Sequence, residues 1–267
     1  MTLSDLVHRE IIRIAADASI ADAARMMRDQ KIGSVFVEEA GQYVGIVTDS
    51  DIVRKAFTKD LSFETPVKRV MASPLIEIDI EKSVMDANHL MYFNEIRHLA
   101  ISEKGKVIGM LSVRDIVRFF LSTVQGPMNA MGDVIKPLTV LTHRNIETID
   151  ASATAREAAL KMQGGKIGSL MITDNGNYTG IVTEADLVRK VIGYRLNSAE
   201  IPVGVIMNTP IIDIDINASV QVATERMESK RIRHLGVSED GKIVGVLSVR
   251  DLIGMIAVRD LPRFFSK

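Results

Sequence analysis

The 267-residue sequence contains no cysteine. Disulfide bonds, thiol catalysis and zinc or iron–sulfur sites with cysteine ligands are therefore excluded. The five histidines are scattered, and no two of them stand four residues apart beside an acidic residue. Since a helical metal site built on histidine needs that spacing, we predict no metal site.

The sequence also lacks a strong charge of either sign and a long apolar run. A net charge of −1 gives no broad basic field, so neither nucleic acid nor an anionic membrane surface is an expected partner. No apolar run approaches the roughly 18 residues of a membrane span. The start, Met1-Thr2-Leu3-Ser4-Asp5, lacks the charged-then-apolar layout of a signal peptide, so we expect a cytoplasmic protein.

What the sequence contains instead is a seven-residue pattern that occurs four times. Each copy runs glycine, two aliphatic residues, a hydroxyl residue, two variable positions and an aspartate, and the copies begin at Gly45, Gly109, Gly180 and Gly245. Consecutive glycines are unevenly spaced, because the middle interval, from 109 to 180, is longer than the other two. Alternate glycines are separated by nearly the same interval, from 45 to 180 and from 109 to 245. This long period indicates two halves of two repeats each.

Each repeat carries the same order of local signals. An alternating apolar run, such as Ile11–Ile14 or Leu75–Ile78, predicts a short strand. A helix follows, whose predicted N-caps are Ser19, Ser83, Thr154 and Ser219. Three residues later, Asp22, Asp86 and Glu157 complete a capping-box pattern that the fourth repeat lacks at Val222. Two further apolar runs are joined by hairpin turns at Lys104-Gly105, Asn175-Gly176 and Asp240-Gly241, and a second helix begins after the hydroxyl residue.

These signals predict a mixed α/β (α+β) fold of four β-α-β-β-α repeats. One repeat of about 50 residues would be marginal alone, so we expect two modules, each built from a pair of consecutive repeats. The first pair spans 1–122, with repeats at about 5–58 and 66–122. The second spans 137–258, with repeats at about 137–193 and 202–258. A linker with Gly126-Pro127 and Gly132 lies at 123–136, and 259–267 form a C-terminal tail.

The recurring hydroxyl and aspartate pairs have two interpretations. They are Thr48 and Asp51, Ser112 and Asp115, Thr183 and Asp186, and Ser248 and Asp251. The structural one is a capping box that satisfies free amides at the start of the second helix. The functional one is a nucleotide site, because a helix N-terminus suits phosphate and a carboxylate can accept hydrogen bonds from a ribose diol. Both interpretations stay open at this point.

A second alternation distinguishes odd from even repeats. Fourteen residues before each glycine, the odd repeats read Lys31-Ile32-Gly33-Ser34 and Lys166-Ile167-Gly168-Ser169, and the even repeats read Glu95-Ile96-Arg97-His98 and Arg231-Ile232-Arg233-His234. Adjacent arginine and histidine suit phosphate, and Gly-Ser in the partner repeat would leave room for it. The alternative is that the arginines pair with acidic neighbours and the histidines pack as polar tips.

Arg114 and Arg250 also occur only in the even repeats, directly before the aspartate. They either reach phosphate or lie on the solvated face of the second helix. We expect no matching positions among the repeats for His8, His89 and His143, so we assign them no role. No arrangement of nucleophile, base and orienting group is apparent, and the Gly-rich phosphate loops are missing. We therefore expect no catalytic activity.

Three of these features together resemble the CBS domain family, named from cystathionine beta-synthase. They are the capped helix that ends in Met, the Gly-h-h-[Thr/Ser]-x-x-Asp signature and the Ile-Arg-His-Leu segment. The resemblance covers roughly residues 5 to 258, in four repeats. The chain is similar in this arrangement to stand-alone archaeal four-repeat proteins and to the gamma subunit of the AMP-activated protein kinase.

The resemblance implies a regulatory, energy-sensing protein that binds AMP, ADP or ATP in clefts between paired repeats. The four aspartates would bind ribose, the hydroxyl residues would contact phosphate or ribose, and the Arg-His pairs would face the phosphates. The negatively charged phosphates of several bound nucleotides would crowd together around the Arg-His residues. We therefore expect fewer than four sites to fill tightly.

The partner is expected to be an effector protein of unknown identity. Two modules could stack into a disc within one chain or in a homodimer, and the sequence favours neither. The alternatives are another ligand, such as S-adenosylmethionine or an RNA end, and a ligand-free interaction scaffold.

Overall fold

The computed structural model describes residues 2–122 and 138–264, and in these residues each repeat forms one three-stranded sheet and two helices. Every sheet has a parallel pair of strands followed by an antiparallel hairpin. The strands are β1 Arg13–Ala15, β2 Ser34–Glu39, β3 Gln42–Thr48, β4 Glu77–Asp79, β5 His98–Glu103, β6 Lys106–Ser112, β7 Thr148–Asp150, β8 Ser169–Asp174, β9 Asn177–Thr183, β10 Asp213–Asp215, β11 His234–Glu239 and β12 Lys242–Ser248. The predicted fold class is confirmed, although β1 and β4 begin two residues later than predicted.

The first helix of each repeat begins where its N-cap was predicted. The four helices are Ile20–Gln30, Val84–Phe93, Ala155–Gly165 and Val220–Ser229. In the first, Ser19 Oγ accepts the Asp22 amide at 3.0 Å, and the Asp22 carboxylate accepts the Ser19 amide at 3.3 Å. The second and third repeats form the same box. The fourth has only the Ser219 half, because Val222 has no acceptor.

The hairpin turns require residues with positive φ at both central positions, as in a type I′ turn. Lys104 and Gly105, for example, have φ of 52° and 74°. The first repeat uses Ala40 and Gly41, with φ of 50° and 77°. An alanine in this left-handed region is uncommon, which is why the sequence indicated this turn less clearly than the other three.

The second helices differ between odd and even repeats. In the even repeats they are Val113–Ser122 and Val249–Phe264, and the latter continues past residue 258, where the tail was expected to start. In repeat 1, Asp49–Asp51 is followed by a π-helix, Ile52–Phe57. In repeat 3, Glu184–Asp186 is followed by a π-helix, Leu187–Val191, and a 3₁₀-helix, Ile192–Tyr194.

The described residues fall into two compact units, and each unit contains alternate repeats. The even unit contains repeats 2 and 4, and its described residues lie within Met1–Glu10, Ile76–Asn145 and Ile212–Lys267. The odd unit contains repeats 1 and 3, and its described residues lie within Ile11–Leu75 and Ile146–Ile211. Each unit has its own apolar core, built around residues such as Leu99 and Leu235 in the even unit and Met27 and Met162 in the odd unit.

The sequence predicted modules of consecutive repeats. Each unit of the structure instead contains alternate repeats whose helices pack together. The modules 1–122 and 137–258 stay a prediction, and the predicted linker, 123–136, lies outside the described residues.

A short docking segment precedes each first strand and packs on a different repeat. The four docking segments are residues 2–8, 66–72, 138–143 and 202–208, and each contains a short helix: Leu3–Asp5, Val67–Arg69, Leu138–Val140 or Val203–Ile206. Residues 2–8 pair with repeat 2 through the bridges Thr2 to Ser83 and His8 to Met110. Residues 66–72 in turn pair with repeat 1 through Ile46 and Ala72.

The docking segments explain the recurring glycine. A Cβ atom on Gly45 would lie 2.7 Å from the Ala72 carbonyl oxygen, and one on Gly109 would lie 2.7 Å from the His8 carbonyl oxygen. These distances are shorter than any normal contact, so the glycine lets the docking segment pair closely with the third strand. The recurring glycine therefore serves packing at this point.

Candidate functional site

Each recurring aspartate caps the second helix through one of its two oxygens. Asp51 Oδ2 accepts the Thr48 amide at 3.1 Å and the Thr48 hydroxyl at 2.6 Å. Asp115 and Asp186 make the same pair of contacts with Ser112 and Thr183, and Asp251 accepts the Ser248 amide at 2.7 Å. The structural interpretation is thus present in every repeat, but it occupies Oδ2 and leaves Oδ1 for other partners.

Oδ1 has a different partner in odd and even repeats. In the odd unit it accepts a lysine one turn further along the helix, Lys55 at 2.8 Å and Lys190 at 2.9 Å. In the even unit the position one turn along is apolar, Phe119 or Met255. There a histidine of the docking segment takes the same place: His8 Nε2 lies 2.9 Å from Asp115 Oδ1, and His143 Nε2 lies 2.9 Å from Asp251 Oδ1.

The interpretation that gave His8 and His143 no role was wrong. The interval from position 8 to position 143 is the same long period that relates Gly45 to Gly180. Lys55 and Lys190 are separated by that period as well. Comparing the sequence with itself at that period would have found both pairs.

The two Arg-His pairs come together in the even unit. His98 and His234 begin β5 and β11 and directly follow Arg97 and Arg233. Arg97 is only 8 % exposed. Burial lowers the pKa of the His98 imidazole to about 3, helped by the charges of Arg97, Arg233 and Arg114. The pKa of His234 falls to about 3 through burial and the charges of Arg233, Arg97 and Arg250. Because the charges of both Arg97 and Arg233 lower the pKa of each histidine, these four residues form one site, which we call the Arg-His cluster.

Arg114 and Arg250 extend the Arg-His cluster across the even unit. Arg114 Nη2 donates to the Arg231 carbonyl oxygen at 2.9 Å, and Arg250 Nη2 donates to the Glu95 carbonyl oxygen at 3.3 Å. Each arginine thus anchors on the opposite repeat, so neither lies simply on a solvated helix face. Four guanidinium groups around two neutral imidazoles make a site whose chemistry suits a phosphate-bearing anion.

The odd unit places opposite chemistry at the matching position. Gly33 and Gly168 accept the amides of Asp49 and Glu184 at 3.1 Å, as Arg97 and Arg233 accept those of Val113 and Val249 at 2.9 Å. Asp49 and Glu184 are buried. Glu184 lies 3.3 Å from the Arg54 guanidinium and accepts a hydrogen bond from Ser50. The centre of the odd unit therefore pairs acid with base where the even unit is cationic.

The remaining predicted residues have local roles in the structure. Lys31 and Lys166 end their helices in the left-handed conformation, with φ of 56° and 52°, and their side chains are exposed. Ser34 and Ser169 begin β2 and β8 opposite Thr48 and Thr183. Neither lysine is brought to the capped aspartate of its repeat by any contact that the structure shows.

Residues 2–122 and 138–264 hold no group of three or more histidine, aspartate or glutamate side chains placed to bind a metal. Within the same ranges, no helix has both the length and the apolar character needed to cross a membrane.

Comparison with known proteins supports the resemblance seen in the sequence. The chain is 31 % identical over 121 residues to a 17.7 kDa protein of Acidianus ambivalens, covering 45 % of this chain and 73 % of that protein. It is 27 % identical over 145 residues to the CBS domain-containing protein YhcV of Bacillus subtilis, covering 54 % of this chain and 98 % of YhcV.

A solved structure shares the fold over most of the chain. Protein MJ1225 of Methanocaldococcus jannaschii, described as a proposed archaeal homolog of g-AMPK, superposes with a TM-score of 0.80 at 17 % identity, covering 96 % of this chain and 100 % of MJ1225. The CBS domain family model matches residues 3–57, 67–122, 137–193 and 203–258, more than half of the sequence. The chain therefore belongs to the CBS domain family and carries four CBS domains.

Proposed function

We propose that the protein is a non-catalytic regulator that binds AMP, ADP or ATP. The observation that carries the proposal is the Arg-His cluster, in which arginines from two repeats surround two imidazoles that burial and charge keep neutral. Membership in the CBS family and the likeness of the fold to a proposed archaeal homolog of g-AMPK support it.

The geometry divides the nucleotide between two kinds of group. The guanidinium groups bind phosphate oxygens with charge-assisted hydrogen bonds, and the neutral imidazoles each donate one further hydrogen bond. The capped aspartates accept the two hydroxyls of a ribose diol at their two oxygens, beside the cap donors that Oδ2 already accepts. The lysine or histidine at Oδ1 shares that oxygen with the ligand.

Binding is expected to act through the relation between repeats, which an effector protein then detects. The phosphates of nucleotides bound in the even unit converge on the Arg-His cluster, so mutual repulsion limits how many sites of that unit fill. A disc formed within one chain or by two chains would serve this role equally well.

The test is a calorimetric titration with ATP, ADP, AMP and adenosine. Wild-type protein should bind the nucleotides more tightly than adenosine, since adenosine has no phosphate. Arg233→Gln should reduce that preference at least tenfold, because it removes a guanidinium from the Arg-His cluster. Arg144→Gln, a change at an exposed arginine that pairs with Glu239, is the matched control and should leave binding unchanged.

Failure to bind any adenine nucleotide would refute the proposal. If S-adenosylmethionine or an RNA 5′ end displaced the nucleotides with higher affinity, the ligand would belong to that class instead.

The capping contacts favour a second candidate, a scaffold in which the aspartates only stabilise helices. Asp251→Ala should then cost about 1 kcal/mol of stability and leave nucleotide binding intact. A loss of binding with little change in the melting temperature of the free protein would exclude the scaffold.

A further inference from the structure

The two aspartates of the odd unit share their cap and their lysine but differ in one further donor. Asp51 has three donors among the described residues: the Thr48 amide at 3.1 Å, the Thr48 hydroxyl at 2.6 Å and Lys55 Nζ at 2.8 Å. Asp186 has the equivalent three, at 2.9, 2.6 and 2.9 Å. It also accepts Asn208 Nδ2 at 2.8 Å, on Oδ2.

Asn208 is held in this place from several directions. Its backbone pairs with Ile181 through hydrogen bonds of 2.8 and 3.0 Å. Lys190 Nζ donates to its side-chain oxygen at 3.0 Å while also contacting Asp186 at 2.9 Å. Asp186, Lys190 and Asn208 therefore close a ring of three polar contacts.

The equivalent position in repeat 1 is Ala72, as the alignment of Met71-Ala72-Ser73-Pro74 with Met207-Asn208-Thr209-Pro210 shows. Its backbone pairs with Ile46 through hydrogen bonds of 2.8 and 3.0 Å, just as Asn208 pairs with Ile181. Its side chain is a methyl group and offers no donor. Lys55 donates to the Val70 carbonyl oxygen at 2.9 Å, as Lys190 donates to that of Ile206 at 2.7 Å. The other backbone contact of Lys55 is the Met71 carbonyl oxygen at 3.1 Å, where Lys190 contacts the Asn208 side chain.

We infer that Asn208 closes the carboxylate of repeat 3 to ligand, whereas Ala72 leaves that of repeat 1 open. A carboxylate offers about four lone-pair positions, and the donors already at Asp186 are four in number. A ribose diol that donates to both carboxylate oxygens must displace the Asn208 amide from Oδ2. That exchanges one hydrogen bond for another and breaks the ring with Lys190, so the ligand gains nothing net at that oxygen. Repeat 1 should bind nucleotide and repeat 3 should not.

The even unit supports the idea that this position of the docking segment determines access. His8 and His143 occupy it there, and both contact Oδ1 rather than the capping oxygen. Their side chains are 55 % and 67 % exposed, so they can rotate away as a ligand enters. Asn208 is held by Lys190, so its side chain cannot rotate away from the aspartate without breaking that hydrogen bond.

This inference rests on the proposed function, and the test separates the two. Stoichiometry of AMP binding is measured by calorimetry for wild type and for Asp51→Ala and Asp186→Ala. Asp51→Ala should remove about one site, and Asp186→Ala should remove none. Asn208→Ala should add about one site, which Asp186→Ala in the same chain should abolish. Ala72→Asn should remove the site of repeat 1.

Asn217→Ala, an exposed asparagine in the even unit, is the matched control and should change nothing. Thermal melts verify that each variant folds, and if Ala72→Asn does not fold, Asn208→Ala decides alone. Equal loss of a site in Asp51→Ala and Asp186→Ala, or no added site in Asn208→Ala, overturns the inference and leaves the proposed function standing. Absence of nucleotide binding in wild type and Asn208→Ala overturns both.

Discussion

The neutral imidazoles of the Arg-His cluster should make the protein lose stability when the pH falls below about 6.5. Burial and neighbouring arginines lower the pKa of His98 and His234 to about 3, whereas a histidine in an unfolded chain titrates near about 6.5. Between those two values the unfolded chain binds protons that the native protein does not. Stability is therefore fully present above about pH 6.5 and is lost as the pH falls toward 3.

The size of the loss follows from proton linkage. Within that window each histidine costs about 1.4 kcal/mol per pH unit. Between about pH 7.5 and 5.5 the two together should lower the free energy of unfolding by roughly 2.7 kcal/mol. The loss hardly depends on the native pKa as long as it lies below about 4.5, since the unfolded chain then takes up nearly all of the protons.

The assay is urea unfolding at a series of pH values for wild type and for the double variant His98→Gln, His234→Gln. Glutamine keeps a side-chain donor but does not titrate, so the double variant should lose roughly 2.7 kcal/mol less than wild type over this pH range. The other three histidines are present in both proteins and cancel in the comparison. His143→Gln, at a side chain that is 67 % exposed, is the control and should keep most of the wild-type slope.

The same pH slope in wild type and in the double variant would refute the reasoning. It would mean that the imidazoles gain a proton in the native protein as readily as in the unfolded chain. The arginines would then not dominate their surroundings, and the argument that the Arg-His cluster is an anion site would lose its electrostatic basis.

Two further predictions concern the repeat architecture. Gly45→Ala should destabilise the protein by about 2 kcal/mol, because the new Cβ would lie 2.7 Å from both the Ala72 carbonyl oxygen and the Met71 sulfur. Gly164→Ala should stabilise it by about 0.5–1 kcal/mol, because its new Cβ would meet no atom within 4 Å apart from the backbone of its own helix. Urea unfolding measures both, and a Gly45→Ala protein as stable as wild type would contradict the close approach. Val222→Glu should complete the capping box of the fourth repeat at a residue that is 44 % exposed, raising stability by about 0.5 kcal/mol. No gain there would mean that the single Ser219 contact already satisfies that helix end.

Local features were predictable because their physics is contained in a few neighbouring residues. A capping box needs two side chains three positions apart, so Ser19 with Asp22 was sufficient to place a helix start, and Val222 was sufficient to find the exception. Hairpin turns need positive φ at adjacent positions, which Asn175-Gly176 indicates by composition. Ala40-Gly41 indicates it less clearly, and no specific turn type could be predicted there.

Contacts between distant segments were not predictable in the same way. Nothing in residues 2–8 indicates that they pack on repeat 2, because the partner glycine, Gly109, lies far away along the chain. The contact of Asn208 with Asp186 likewise depends on a docking segment, residues 202–208, that packs on a repeat other than the one it precedes. The pairing of His8 with Asp115 could have been suspected, since the long period that relates alternate repeats also relates His8 to His143.

The structure changes the meaning of the four-fold pattern, because the repeats copy a backbone but not its chemistry. Every copy keeps the glycine that admits a docking segment and the aspartate that caps a helix. What varies is the partner of Oδ1, the aspartate oxygen that does not cap the helix. It is a lysine one turn further along in the odd unit and a histidine of the docking segment in the even unit.

This division follows the units. Alternate repeats share one unit and one chemistry, so the Arg-His cluster arises from two copies of the same residues that meet in the even unit. Within a unit, the few places where the two copies differ are where their sites can differ in function. Ala72 against Asn208 is such a place, since the backbone pairing and the helix cap around it are the same and only the side chain that reaches the aspartate has changed.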